Sequence, residues 1–496
     1  MPTPPLLRAR VRRGFLAAAL IVGSRAQADA QIPAAEYAAR RDSLAARIGE
    51  GVVVAFGGHT PTTDFGPFYQ LPAFHYLTNF HEPDAALVMV VRGGKGASTL
   101  FLTPVAVRTS FYYGRRPDSA AVVNRMGGRL AARSFKSLDH VVDSLAAVGL
   151  PLYMLADFAS ADFAQQDSLT RGRQFMRSIV SRHAGLVVRD AHPILDQLRA
   201  KKSPAEMALI RKAVEISSEG HRDAMRAAQP TKEYELQAAL EYAFLRLGGA
   251  RPSYGSIVGG GIHGTQLHYM RDRGDVKPGD VVVMDAATEY EGYSADITRT
   301  IPVSGTYTPE QRALYQLVLD AQKAAERNSK PGMSAAAAVD SSFDIRNRGL
   351  AKLGLVESED ATLDFPWTTD CTRNPRSCRQ ATFWTIHGIS HGIGLAVHDP
   401  AQFYTGDRTF KEGDAFTIEP GIYVSTAMLD ALPDTPRNRA FIARVRPVVQ
   451  RYENTGVRIE DDYVITSNGL ERISTAPREI EEIEALMRLR PPRVVP

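Results

Sequence analysis

Four acidic residues sit where a folded chain should keep acids out. Val281-Val282-Val283-Met284-Asp285-Ala286-Ala287 reads as a buried strand with a carboxylate inside it. After Glu289-Tyr290-Glu291-Gly292 the chain resumes as Ser294-Ala295-Asp296-Ile297-Thr298. A hairpin turning between Tyr290 and Glu291 would set Asp285 directly opposite Asp296, on one face, with Cβ atoms about 5 Å apart. Thr417-Ile418-Glu419-Pro420-Gly421-Ile422 holds a third acid in an apolar run, and Gly456-Val457-Arg458-Ile459-Glu460 ends on a fourth. Buried carboxylates need a compensating cation or a shared proton. A divalent metal would meet that need. So would Arg458, which could satisfy Glu460 or Asp296, or a solvated hairpin end. We read Arg458 as a support that orients carboxylates around an ion.

Histidines cluster elsewhere in the chain. His387-Gly388-Ile389-Ser390-His391-Gly392-Ile393-Gly394-Leu395-Ala396-Val397-His398-Asp399 packs three of them into thirteen residues. Each glycine costs about 1 kcal/mol in a helix interior, so His387 and His391 are not a helical zinc pair. No HExxH motif occurs. Glycine-flanked imidazoles instead let the backbone approach a substrate. His268, which follows a Gly259-Gly260-Gly261 loop, is a fourth candidate.

The elements that must position these groups show a weak internal repeat. Lys277-Pro278-Gly279-Asp280 leads through an apolar run to Asp285, and Lys411-Glu412-Gly413-Asp414 leads through another to Glu419. Each copy reads as a turn, a buried strand and an acid, as if a duplicated β-unit delivered one carboxylate to a shared centre. Upstream, Gly51-Val52-Val53-Val54-Ala55-Phe56 and Ala86-Leu87-Val88-Met89-Val90-Val91 read as buried strands among helical stretches, a small α/β domain over 31–197. Ser203-Pro204-Ala205-Glu206 is a capping box that opens a helix, so a second, catalytic domain is expected over 198–496. Thr308-Pro309-Glu310-Gln311 repeats the signal before a helix expected to end near Lys330-Pro331-Gly332. Cys371 and Cys378, in a polar insertion over 356–382, could close a small loop disulfide or stay as buried thiols.

Residues 1–30 read as an address. Arg8, Arg10, Arg12 and Arg13 precede a short apolar run from Gly14 to Gly23, then the small-x-small sites Ala26-Gln27-Ala28 and Ala28-Asp29-Ala30. The apolar run is about half of the ~20 residues that a spanning helix needs. A cleaved secretory signal is expected, with an uncleaved anchor as the alternative. Arg12-Arg13-Gly14-Phe15-Leu16 resembles the twin-arginine pattern, although Val11 departs from its usual Ser or Thr and leaves the Sec route open. The mature chain is expected in the periplasm or outside the cell, with no membrane association after processing. The formal charge of +4 comes from this segment, so the body is neutral and offers no footprint for nucleic acid. Two cysteines in 496 residues exclude a disulfide framework and a Cys-ligated zinc module.

The string from His387 to Asp399 resembles the signature of proline-specific metallopeptidases, the Xaa-Pro aminopeptidase and prolidase group of the pita-bread family. Phe74-His75-Tyr76-Leu77-Thr78-Asn79-Phe80-His81-Glu82-Pro83-Asp84-Ala85 resembles a stretch of the aminopeptidase P amino-terminal domain. Leu198-Arg199-Ala200-Lys201-Lys202-Ser203-Pro204-Ala205-Glu206 is similar to that family's entry into its catalytic domain. The resemblance implies an α/β amino-terminal domain followed by an α+β pita-bread catalytic domain with pseudo-twofold symmetry. It implies two divalent ions on Asp285, Asp296, His391, Glu419 and Glu460, with Asp296 and Glu460 bridging. Mn²⁺ comes first, and Co²⁺, Fe²⁺ and Zn²⁺ also suit a carboxylate-rich set with one imidazole. A hydroxide shared by the ions would attack the scissile carbonyl, and Glu419 would carry its proton to the leaving proline nitrogen. His268 and His398 would hydrogen-bond the substrate, and His387 would line the pocket. The implied substrates are peptides with proline in second position, and the family is often dimeric or tetrameric. A prolidase restricted to dipeptides and a metal-free binding module on the same scaffold are the alternatives.

Overall fold

The computed structural model describes residues 31–489 apart from 62–65, 105–106, 115–118, 127–129 and 156–170. The export signal expected over 1–30 lies outside the described residues. Both apolar runs of the first domain are strands, Gly51–Phe56 and Ala86–Arg92. They lie side by side in a six-stranded mixed sheet flanked by helices. Gly51–Phe56 pairs antiparallel with Ala86–Arg92 and parallel with Leu152–Leu155. All six of its residues are buried because alternate side chains serve two cores. Val52, Val54 and Phe56 meet Leu138, Val142 and Ile179 on one face. Val53 and Ala55 join Tyr37 and Leu44 on the other. That second core does not stop at the domain. It continues through Tyr76 and Leu195 into Tyr293, Ile297, Ile393 and Leu395 of the catalytic half.

The chain crosses between the halves from the His192–Arg199 helix to the Pro204–Ala227 helix. Ser203 Oγ accepts from Glu206 N, and the Glu206 carboxylate accepts from Ser203 N, so the predicted capping box is formed. Thr308 and Gln311 form the second box, at the start of the Pro309–Arg327 helix. That helix ends earlier than expected, since Asn328 leaves helical geometry and its side chain satisfies the Ala324 carbonyl. The polar insertion carries a Cys371–Cys378 disulfide. Among the described residues no helix is long and apolar enough to cross a membrane.

The repeat read from sequence is a repeat in space. Asp280 accepts from Lys277 N at 2.8 Å and Asp414 accepts from Lys411 N at 2.7 Å. Gly279 and Gly413 both turn at φ 90°. The strands that follow, Val281–Asp285 and Ala415–Ile418, each take an antiparallel partner from later in the chain, Thr298–Pro302 and Asp461–Thr466. Each copy therefore delivers two acids, not one: Asp285 with Asp296, and Glu419 with Glu460. A bridge between Thr298 and Glu460 joins the copies. This is the pita-bread arrangement with its pseudo-twofold relation.

The first hairpin corrects the expected register. Tyr290 pairs with Tyr293 and Asp285 with Thr298, so the turn is centred one residue later, on Glu291 and Gly292. Both have positive φ, 49° and 85°, which a tight two-residue turn requires and which Gly292 adopts without strain. Gly292 also leaves no room for a Cβ, because the His75 ring packs against it. Asp285 and Asp296 are consequently diagonal neighbours on one face instead of a directly opposed pair.

Candidate active site

Asp285 closes its strand, Asp296 follows the hairpin, and Glu419 follows Ala415–Ile418. Glu460 lies between Thr455–Arg458 and Asp461–Thr466, where its N–H donates to the Thr298 carbonyl at 3.1 Å. The histidine segment forms no helix around His391; it runs beside the Ala415–Ile418 strand. Thr417 N donates to the His391 carbonyl at 2.9 Å, and His391 N donates to Thr417 Oγ1 at 3.2 Å. The imidazole Nε2 then lies 3.4 Å from Asp296 Oδ2, 3.5 Å from Glu419 Oε1 and 3.8 Å from Glu460 Oε1. The Tyr254 hydroxyl is 2.6 Å from both Asp285 Oδ1 and Asp296 Oδ1. All five residues expected to converge do so. The ligand atoms of Asp296, His391 and Glu460 lie within 4.8 Å of one another.

Burial makes this group electrostatically expensive. It pushes the Asp296 carboxyl well above the usual carboxylate range, and the neighbouring Asp285 adds to the rise. Glu460 is driven up by burial and then by Asp296 and Asp285. Glu419 is pushed up to about 8, by burial first and Glu460 second. Arg458 gives its Nη2 to Asp285 Oδ2 at 2.6 Å. The sequence had offered Glu460 or Asp296 as its partner. The pairing differs because the chain leaves its ladder with Gly421–Val424 after Arg458 and swings Glu460 toward Thr298. Glu460 Oε2 accepts from Thr298 Oγ1 at 2.7 Å, while Glu460 Oε1 is buried without a hydrogen-bond partner. Orphaned oxygen, surplus carboxyl groups and an imidazole make a donor set that fits hard to borderline divalent cations.

The remaining histidines ring the same cavity, a space of about 1680 Å³. Arg458 Nη1 donates to the Tyr423 hydroxyl at 2.8 Å, and that hydroxyl lies 2.8 Å from His387 Nε2. His387 Nδ1 is 3.6 Å from Glu419 Oε2. Burial, with Arg458 and Arg346 nearby, holds His387 down to about 3, so its ring is neutral at neutral pH and accepts from Tyr423. The His398 ring lies 4.2 Å from that of His391, and His268 lines the wall as an exposed side chain. His268 does not follow a three-glycine loop: Gly259 and Gly260 belong to the strand Ile257–Gly260, Gly259 packed against the backbone at His263 and Gly264 and Gly260 against Val276. The amino-terminal domain supplies part of the cavity wall through Phe56, Tyr69, Leu71, Pro72, His75 and Leu155.

Three supports escaped sequence reasoning. Tyr254 is a neutral residue in a half-buried stretch, and nothing in its spacing marks it. Asp462, two residues after Glu460, accepts from Asp296 N at 3.0 Å. Asp399 is a buried anchor gripped by Arg199 and, at 2.9 Å, by Lys202, so the histidine segment is tied to the interdomain crossing. The basic residues between Leu198 and Glu206 were the available signal for that tie.

Residues 208–467 match the family model of metallopeptidase family M24, and residues 37–150 match that of the aminopeptidase P N-terminal domain. The chain is 31% identical over 466 residues to the Xaa-Pro aminopeptidase of Escherichia coli K12, covering 92% of this chain and 98% of that one. It is 32% identical over 424 residues to the Xaa-Pro aminopeptidase of Haemophilus influenzae, covering 85% and 89%. Among solved structures, proline aminopeptidase P II from Yersinia pestis superposes with a TM-score of 0.74 at 31% identity, covering 92% of this chain and 100% of that one. Zinc-substituted Escherichia coli aminopeptidase P in complex with product gives 0.75 at 30% identity, covering 93% and 100%. The chain belongs to metallopeptidase family M24, in the aminopeptidase P group that carries its own amino-terminal domain.

Proposed function

We propose that this protein is an exported metalloaminopeptidase that removes the residue preceding an N-terminal Xaa-Pro bond. The observation that carries the reading is the buried cluster of Asp285, Asp296, His391, Glu419 and Glu460, with Glu460 Oε1 unpaired and, among the described residues, only the Asp285 carboxylate in an ion pair with a guanidinium. These five residues would hold two divalent ions. When bound, such ions supply Lewis-acid polarisation of the scissile carbonyl and lower the pKa of a shared water.

The chain's own groups account for the rest. Glu419, pushed up to about 8 by burial and then by Glu460, holds at neutral pH the proton that the proline nitrogen needs as the amide breaks. His268 and His398 line the wall where a substrate carbonyl would sit, and the neutral ring of His387 holds its place through Tyr423. Arg458 fixes Asp285, and Tyr254 spans Asp285 and Asp296, so the acids are oriented before any ligand arrives. The relatives' shared name, Xaa-Pro aminopeptidase, supports the substrate class. A cavity of about 1680 Å³ is ample for a peptide longer than two residues, which favours an aminopeptidase over a dipeptide-restricted prolidase. Export is our reading of the arginine-rich, apolar residues 1–30.

The direct test is release of the first residue from an Xaa-Pro-Xaa tripeptide, abolished by EDTA and restored by Mn²⁺. Absence of metal-dependent cleavage of any such peptide would end the proposal.

A further inference from the structure

The cavity continues beyond the acids. Arg251, in the short strand Arg251–Pro252, and Tyr69 of the amino-terminal domain both line it. The Arg251 guanidinium lies 3.7 Å over the Tyr69 ring, and its Nη2 is 2.6 Å from Glu289 Oε2. Its Nε is buried without a partner, and the side chain is part-exposed in the cavity wall. Tyr69 is 46% exposed. Neither residue has a part in the chemistry at the acids.

Position along the sheet indicates what reaches this pair. Arg251 faces Glu289 in strand register, and Glu289 lies four residues beyond Asp285. At roughly 3.3 Å per residue that is about 13 Å along the strand from Asp285, while Ser294, opposite Glu289, stands two residues from Asp296. An extended peptide spans the distance in about four residues. An aminopeptidase keeps a single residue on the amino side of the bond it cuts, so only the downstream part of a substrate extends that far. A guanidinium N–H edge donates to a main-chain carbonyl or a terminal carboxylate, and an exposed phenol ring stacks on apolar or planar side chains. Glu289 holds the guanidinium in place beforehand, which reduces the ordering cost of binding.

We propose that the Tyr69–Arg251 pair is a downstream subsite that engages roughly the third to fifth residue of a peptide and favours substrates longer than three residues. The inference rests on the Xaa-Pro aminopeptidase reading above.

The test compares a Gly-Pro-Gly tripeptide with hexapeptides of the same first three residues, one ending in a free carboxylate and one amidated. In Arg251→Ala and Tyr69→Ala the hexapeptide-to-tripeptide ratio of kcat/KM is expected to fall about tenfold, through KM and not kcat. The tripeptide rate is the internal control for folding, and Tyr69→Ala removes an exposed ring that no core depends on. Calorimetry of hexapeptide binding to the metal-free protein should show a matching loss, independent of turnover. A loss shared by both hexapeptides identifies a main-chain carbonyl as the group read, and a loss confined to the free acid identifies the terminal carboxylate. An unchanged ratio in both variants overturns the subsite. Failure of the wild-type enzyme to cleave any of the three peptides overturns the underlying reading, and is seen before any variant is compared.

Discussion

A carboxyl group buried beside other acids keeps its proton until a positive charge replaces it, and Glu419 keeps its own to about pH 8. Asp296 and Glu460 are raised with it. Metal binding must therefore expel protons, so affinity should tighten as pH rises and level off above about 8. Calorimetry of Mn²⁺ binding in buffers of different ionisation enthalpy would count those protons. The same shifts act on folding. Raised carboxyl groups leave the metal-free protein fully stable below the ordinary glutamate value of 4.5 and cost it stability as pH climbs through about 8. The gap in Tm between metal-loaded and metal-free protein should accordingly widen between about pH 5 and pH 8. Tyr254→Phe removes the hydroxyl that spans Asp285 and Asp296, and should weaken metal affinity about 10- to 100-fold with little change in fold. The acids were legible in the sequence because a charge inside an apolar strand contradicts its surroundings. Tyr254 was not, because a tyrosine contradicts nothing in the half-buried bend after Arg251–Pro252.

At the scale of elements, the two turn–strand–acid units were readable from their Gly-Asp corners. The hairpin turns one residue later than its spacing suggests, so Asp285 pairs with Thr298, two residues beyond Asp296. Alternation along a strand tells which face a side chain takes, but only the turn decides which residues stand opposite, and here Glu291 and Gly292 decide it. Gly292→Ala tests that account. The added methyl meets the His75 ring and a φ of 85°, so destabilisation of about 1–3 kcal/mol is expected by denaturant unfolding. Long-range partnerships such as Asp399 with Arg199 and Lys202 were beyond reach for a different reason. Pairing across some 200 residues is set by tertiary packing, which local spacing does not encode.

For the whole molecule, sequence marked a division near residue 198 but did not reveal that the halves share a core. Apolar residues on either side of Arg199 look alike whether they face inward or toward one another. The charge balance adds its own prediction: the basic excess is confined to residues 1–30. If the twin-arginine route is used, Arg12-Arg13→Lys-Lys should leave the protein in the cytoplasm, as fractionation with activity assay would show. Normal export of that variant would assign it to Sec.

Tyr76 and Leu195 pack in one apolar mass with Ile393 and Leu395, so parting the halves would strip oil-like surface into water. Nothing so fastened yawns open to swallow a bulky guest. A scissile bond has to be brought in on a slack, single thread, and a terminus tucked into its own globule stays safe. On the Xaa-Pro aminopeptidase reading proposed above, peptides with loosely held amino ends are the expected substrates.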